Sequence, residues 1–312
     1  MTTAPLTPAQ TAVLTRRVTS LSVATAVVLV AAKAAAWLAS GSVALLASLA
    51  DSGLDLLASL ITLYAVRYAV APPDAEHRFG HGKAEAFASL MQGGLVFASA
   101  ALIGREAIVG IMDPKPIVAG GWAIAVMGLS VVLTLGLITA QAWVLKRTRS
   151  VAVAGDRAHY AADLASNIAA MAGIAGAALL GLAWLDAAAG LLVAAWLLWG
   201  AIGVFREAGN QLMDHELPEA DRARIIALMK QDPRIQDVHQ LRTRASGPYV
   251  HIQMHADLDP DSTLAAAHDA LVAAENRVLA AFPAADIIIH PDPHGRAEPH
   301  GGAFGEAEHA AR

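Results

Sequence analysis

Residues Ser48-Leu49-Ala50-Asp51-Ser52-Gly53-Leu54-Asp55-Leu56-Leu57-Ala58 decide how this chain must be read, because two carboxylates sit inside an otherwise apolar run of about 25 residues, 42–66. A run of about 20 apolar residues is long enough to cross a bilayer. Asp51 and Asp55 are four apart, so a helix presents both on one side. At about 1.5 Å per residue Asp51 lies roughly 13 Å in from the start of the run, near mid-bilayer.

Working outward, five more such runs occur, at roughly 18–39, 86–111, 117–145, 157–181 and 186–205. The 312 residues are 56% hydrophobic and only 16% charged, against about 25% charged in a soluble domain. Mean hydropathy is +0.48, and it is concentrated in the first two thirds of the chain. Three connections are very short: Ser40–Gly41, 112–116, and the turn at 182–186. They alternate with the longer connections and must share one side of the membrane. Arg16, Arg17, Arg67, Arg78, Lys83, Lys146, Arg147, Arg149 and Arg206 flank the other side, against Lys115 alone on the short loops. The positive-inside rule therefore predicts cytoplasmic termini. A signal peptide is the rival reading of Arg16-Arg17 and the run after it. That run of about 22 residues exceeds the roughly 7–15 of a signal core, and five more spans follow it.

The chain has no cysteine, so any metal must be held by His, Asp or Glu. The formal charge of −5 offers no basic tract for nucleic acid. His159 and Asp163 in the fifth run repeat the four-residue spacing at a similar depth. Each ionised carboxylate there costs about 2.5–3.5 kcal/mol. Two helices each offering a pair give four ligands of the kind that suits tetrahedral zinc. The bland alternative is a structural polar network, or pairing with Lys33 or Arg105. Carboxylates about 6 Å apart repel by roughly 3 kcal/mol at an effective dielectric near 20, so a metal-free site keeps a proton that metal must expel. Exchange of metal for protons follows. Moving two charges out against an inside-negative potential costs about 4.6 kcal/mol per 100 mV, part of which inward protons supply.

From about 210 the pattern is that of a soluble domain. A short helix follows Pro218, strands are predicted at 235–244 and 249–258 around Ser246-Gly247-Pro248, a helix at 264–282, and a strand at 286–290. Val250, Ile252, Met254, Ala256 and Leu258 share one strand face, and His251, Gln253, His255 and Asp257 the other. The fold class expected is an α-helical membrane protein of six transmembrane helices with a C-terminal α+β cytoplasmic domain, α-β-β-α-β and ferredoxin- or metallochaperone-like. The expected divisions are an N-terminal tail 1–12, a membrane domain 13–208, a cytoplasmic metal-binding domain 209–293 and a disordered tail 294–312.

Five motifs occur in order: Ala50-Asp51-Ser52-Gly53-Leu54-Asp55, Phe79-Gly80-His81-Gly82-Lys83-Ala84-Glu85, His159-Tyr160-Ala161-Ala162-Asp163, Leu241-Arg242-Thr243-Arg244-Ala245-Ser246-Gly247-Pro248 and Ile287-Ile288-Ile289-His290-Pro291-Asp292-Pro293. Together they make the chain, over residues 12–294, resemble the cation diffusion facilitator family, most of all its bacterial zinc and ferrous-iron efflux pumps. The resemblance implies a transport site of Asp51, Asp55, His159 and Asp163, and its His is similar to zinc- and cadmium-handling members, whereas all-carboxylate sites look like manganese and iron ones. Chemistry agrees, since imidazole suits zinc and carboxylate harder ions.

The resemblance further implies a second site of Asp74, His77 and His81 in the loop after the second span. His77 and His81 have helical four-residue spacing, but on their own they read as solvated side chains. It implies a binuclear cytoplasmic site of His239, His255, His268, His290 and Asp292, with Asp292 able to bridge two ions. It also implies a charge pair of Lys83 and Asp214 that ties the two portions together near a dimer interface. His215, His251, His294, His300 and His309 fall outside the family pattern and read as solvated, with weak metal affinity. The expectation is a homodimer in the lipid of a bacterial inner membrane that exports Zn²⁺ in exchange for protons, with Zn²⁺ also regulatory and Cd²⁺, Fe²⁺, Co²⁺ and Mn²⁺ as other cargoes. An intramembrane metalloenzyme would need a motif such as His-Glu-x-x-His, which the spans lack. A membrane-anchored metal sensor would keep the cytoplasmic histidines but would not need Asp51, Asp55 and Asp163 at depth.

Overall fold

The computed structural model describes residues 6–41, 43–112, 121–180 and 184–296. Residues 1–5, 42, 113–120, 181–183 and 297–312, with the predicted short connections there and His300 and His309, lie outside the described residues. The chain divides into two compact units, one of residues 9–212 and one from Met213 onward.

The first unit holds six helices: α1 (Pro8–Ser40), α2 (Val43–Ala69), α3 (Ala84–Met112), α4 (Gly121–Thr148), α5 (Val151–Leu180) and α6 (Trp184–Leu212). Each is 27–33 residues, about 40–50 Å at 1.5 Å per residue, enough to cross a bilayer. Among the described residues five, all but α5, are both long and apolar enough to do so. Helix α5, at 30 residues, also has the length, and it carries Asp156, Arg157, His159 and Asp163 in its first half. The helices reach further than the apolar runs predict. Residues 8–12, expected in the N-terminal tail, already belong to α1, and 209–212 to α6.

Helix α3 packs most extensively on α6, and α5 lies against α2, α3, α4 and α6. Small residues allow the closest approaches. A Cβ at Gly155 of α5 would stand 3.0 Å from the Ser89 Cα of α3, and one at Gly190 of α6 3.1 Å from the Ala107 Cβ. The α5 contact is one turn from His159, so it sets how that part of α5 sits against the bundle.

Many large apolar side chains face outward, among them Leu54, Leu57, Leu102, Val132, Leu192 and Trp199, while Ser22, Ser52, Ser59, Thr62, Gln92 and Gln141 are buried. That inversion of the soluble pattern suits a bundle whose outside is lipid. The unit is a multi-pass membrane domain.

The second unit runs α7 (Glu219–Met229), β1 (Asp237–Ser246), β2 (Tyr249–Leu258), α8 (Leu264–Ala281) and β3 (Ala285–Pro293). This is the α-β-β-α-β order that the hydrophobic pattern predicts. The sheet order is β1-β2-β3, with β1–β2 antiparallel and β2–β3 parallel. Gly247, at φ 56°, supplies the left-handed residue that the two-residue β1–β2 turn needs. Thr263 caps α8 by accepting the Ala266 N–H at 3.2 Å.

Ile252, Met254, Ala256 and Leu258 of β2 bury their side chains against Ile225 and Met229 of α7 and Ala267, Ala270, Ala274 and Val278 of α8. Both helices thus cover one face of the sheet. The other face carries the histidines.

Candidate metal sites

Helices α2 and α5 bring Asp55, His159 and Asp163 together, with one ligand atom from each within 4.8 Å of the others. His159 Nε2 lies 3.0 Å from Asp55 Oδ1 and 3.8 Å from Asp163 Oδ2. Asp55 is one residue from the midpoint of α2. Asp51, one turn away, lines the same cavity of about 390 Å³. All four residues predicted for the transport site therefore face one space, with Asp51 at its edge rather than in the tight group. His159 is 4% exposed, and among the described residues its Nδ1 has no hydrogen-bond partner.

Two cations were rivals for these carboxylates. Arg105 pairs with Glu106 at 2.5 Å, and both side chains are about two-thirds exposed. Lys33 of α1 does line the cavity, where its Nζ donates to Ser52 Oγ at 2.6 Å and to the Ser48 carbonyl at 3.1 Å.

The scaffold of this cavity is a polar network that sequence reasoning missed. Asp156 is fully buried and accepts hydrogen bonds from Ser22 of α1 (2.6 Å), Gln141 of α4 (2.8 Å) and Gln92 of α3 (3.3 Å). The Tyr160 hydroxyl lies 2.9 Å from Ser59 Oγ of α2 and donates to the Ser22 carbonyl of α1 at 3.1 Å. These flanking residues lock α5 to four neighbours and so hold His159 between them. The available signal was a second carboxylate, one turn before His159 on the same helix.

The loop residues Asp74, His77 and His81 also converge. Asp74 Oδ1 lies 3.2 Å from His77 Nδ1, and Oδ2 lies 3.1 Å from His81 Nε2. The segment is a turn with Gly80 at φ 77°, and α3 begins only at Ala84. The helical spacing of His77 and His81 is therefore not what joins them. Asp74 accepts the backbone N–H of His77 at 2.6 Å and of Glu76 at 2.9 Å. The first of these holds the carboxyl below its ordinary range, and it stays ionised at neutral pH.

On the open face of the sheet His239, His255 and His290 stand in register across the three strands, beside Asp257 paired with Asp292. A bulge lies between His239 and Arg242, with Gln240 at φ 51°. It lets His239 share the outer face with Arg242 and Arg244. Asp292 Oδ2 lies 2.8 Å from His255 Nδ1 and 3.4 Å from His239 Nε2, while Oδ1 lies 3.3 Å from His290 Nε2. One carboxylate thus faces three imidazoles through two oxygens.

His268 is not brought to this group, since it is exposed on α8, whose inner face packs on the opposite side of the sheet. Two residues outside the predicted set do join, Asp257 and His294. Of the predicted charge pair, Lys83 belongs to the first unit, where it donates to the Leu212 carbonyl at 3.3 Å. Asp214 belongs to the second, 3.0 Å from Arg244. His251 lies 3.1 Å from Asp286, and His215 donates to the Glu216 carbonyl at 2.9 Å.

Residues 20–213 match the cation efflux transmembrane domain, and residues 217–294 match the cation efflux protein cytoplasmic domain. The cation-efflux pump FieF of Shewanella oneidensis is 40% identical over 272 residues, 87% of this chain and 92% of its own length. FieF of Klebsiella pneumoniae is 39% identical over 263 residues, 83% and 86% of the two chains. A solved structure of CzrB in its Zn form is 30% identical over 27% of this chain and 98% of its own, with a TM-score of 0.26. With both of its units matched and its relatives covered nearly end to end, this chain belongs to the cation efflux family of membrane transporters.

Proposed function

We propose that this chain exports a divalent metal ion from the cytoplasm, zinc foremost, in exchange for protons, and that it works as a homodimer. The observation that carries the reading is the convergence of Asp55, near the middle of α2, with His159 and Asp163 in the first half of α5, inside a cavity that Asp51 also lines. One imidazole among three carboxylates is a ligand set that suits zinc, with Cd²⁺, Fe²⁺, Co²⁺ and Mn²⁺ as lesser cargoes. The relatives' names supply cation efflux.

Proton exchange follows from charge. Three carboxylates and a histidine in one low-dielectric cavity are a poor arrangement when all the acids are ionised, so metal and protons compete for the same atoms. Rocking of the helices about the cavity then carries metal one way and protons the other. The Asp74–His77–His81 loop and the His239–His255–His290–Asp292 face bind the same metal from the cytoplasm. Pairing of two C-terminal units, tightened by metal, biases the transport equilibrium. Lys83 and Asp214 tie the two units together in that assembly. Residues 13–208 serve as the membrane domain and 209–293 as the cytoplasmic one, with both termini cytoplasmic in a bacterial inner membrane.

The test is zinc flux into sealed vesicles containing purified protein, wild type against Asp163→Ala. Flux should vanish in the variant while zinc still binds the C-terminal unit. Surviving flux overturns the site.

A further inference from the structure

Asp257 and His294 stand beside the His239–His255–Asp292 group, and neither belongs to the family's ligand pattern as the motifs carry it. Asp257 Oδ1 lies 3.0 Å from His239 Nε2, and Oδ2 lies 3.2 Å from His294 Nδ1. The Asp257 side chain is 10% exposed and that of His294 54%. His294 is held in place by its backbone, since its N–H donates to the Leu258 carbonyl at 2.8 Å. Gly295, at φ 77°, turns the chain immediately afterward.

The nitrogen of His239 decides what Asp257 can be. It is the same Nε2 that faces Asp292 at 3.4 Å and Asp257 at 3.0 Å. A carboxylate that merely orients a metal-bound histidine sits on the other ring nitrogen. Asp257 Oδ1, 3.0 Å from the same nitrogen, is therefore within reach as a co-ligand of a metal held on His239 Nε2.

The second oxygen of Asp257 then points at His294, just as the second oxygen of Asp292 points at His290. Bonds of about 2.0–2.2 Å to a tetrahedral ion place neighbouring ligand atoms about 3.3–3.6 Å apart. The 3.2 Å between Asp257 Oδ2 and His294 Nδ1 is already close to that edge.

We propose that Asp257 and His294 form an additional divalent-metal position at the end of β3, with Asp257 bridging it to the ion on His239 and water completing the coordination. The bridging role rests on the reading of His239, His255 and Asp292 as metal ligands. The added position has two protein ligands, one of them half exposed, so it fills last and exchanges fastest. Its ligands suit a borderline ion such as zinc or cobalt(II).

The experiment uses the full chain in detergent, stripped of metal and equilibrated with zinc alone or cobalt(II) alone. Bound metal is counted by elemental analysis, and cobalt coordination is followed by visible absorption. His294→Ala should bind one ion fewer per chain than wild type at saturation. Asp257→Asn should lose the same ion and also weaken the next one. Equal stoichiometry and an unchanged cobalt spectrum in His294→Ala overturn the proposal. His255→Ala separates the two readings. If it loses ions while His294→Ala loses none, the added position is wrong and the neighbouring set stands. If only His294→Ala loses an ion, the added position stands and the neighbouring set is wrong.

Discussion

Replacing Asp156 by alanine tests whether the buried network around α5 is what positions His159. The carboxylate accepts from Ser22, Gln141 and Gln92, on three different helices. Its removal does not orphan all three donors. Ser22 keeps the Val18 carbonyl at 3.2 Å, and Gln92 keeps Thr62 Oγ1 at 2.9 Å. Gln141 is left with only a 3.2 Å bond to Ser22. One poorly paired buried donor costs about 1–3 kcal/mol, and the small cavity adds about 1 kcal/mol. The expected loss is therefore about 2–4 kcal/mol, read as about 5–12 °C in the midpoint of thermal unfolding of the full chain in detergent. Asp156→Asn keeps the shape and one acceptor, and should lose about half as much. Because Asp156 is one turn from His159, Asp156→Ala should also weaken zinc binding in the membrane site about 10–100-fold, the range for losing a ligand's supporting contact. An Asp156→Ala protein with wild-type midpoint and wild-type zinc flux would refute the positioning argument.

Other outcomes follow from the same structure. His159→Asp replaces the one imidazole by a carboxylate and should shift flux preference from zinc toward manganese or iron(II) in a competition assay, and an unchanged profile counts against the ligand argument. Asp232 is held down to about 2 by the Arg234 guanidinium, aided by the Arg234 backbone N–H. A lowered acid favours the folded state above its ordinary pKa of 3.8 and loses that contribution as pH falls toward 2. The C-terminal unit should accordingly lose about 1 kcal/mol between about pH 4 and 2, after screening at the half-exposed arginine. Denaturant titrations read by hydrogen exchange of β1 and β2 should show the loss in wild type and its absence in Asp232→Asn.

The membrane helices were legible because bilayer thickness imposes a length on apolar runs, and α7 through β3 because apolar residues alternate with the period of their element. Pairs four residues apart at mid-span gave Asp55, His159 and Asp163 for the same reason: a helix repeats at 3.6 residues wherever it occurs. What escaped was non-local. Nothing near Asp156 in the chain announces Ser22, Gln92 and Gln141, which come from three other helices. The alternation of β2 put Asp257 on the outer face with His255, but its partner His294 reaches it only because β3 runs parallel to β2. The loop residues Asp74, His77 and His81 were legible only through the motif resemblance, and what joins the two histidines is the Asp74 carboxylate in the turn before α3, not their four-residue spacing. The bulge at Gln240 depends on one left-handed residue that is not glycine, and no local rule required it there.

The most direct test of the central claim is simultaneous measurement of zinc and protons in sealed vesicles with a lumenal pH dye, wild type against Asp51→Ala. The account predicts that zinc enters as protons leave in the wild type, and that neither moves in the variant. Zinc that binds both proteins but crosses the membrane in neither would contradict it and favour a membrane-anchored metal sensor.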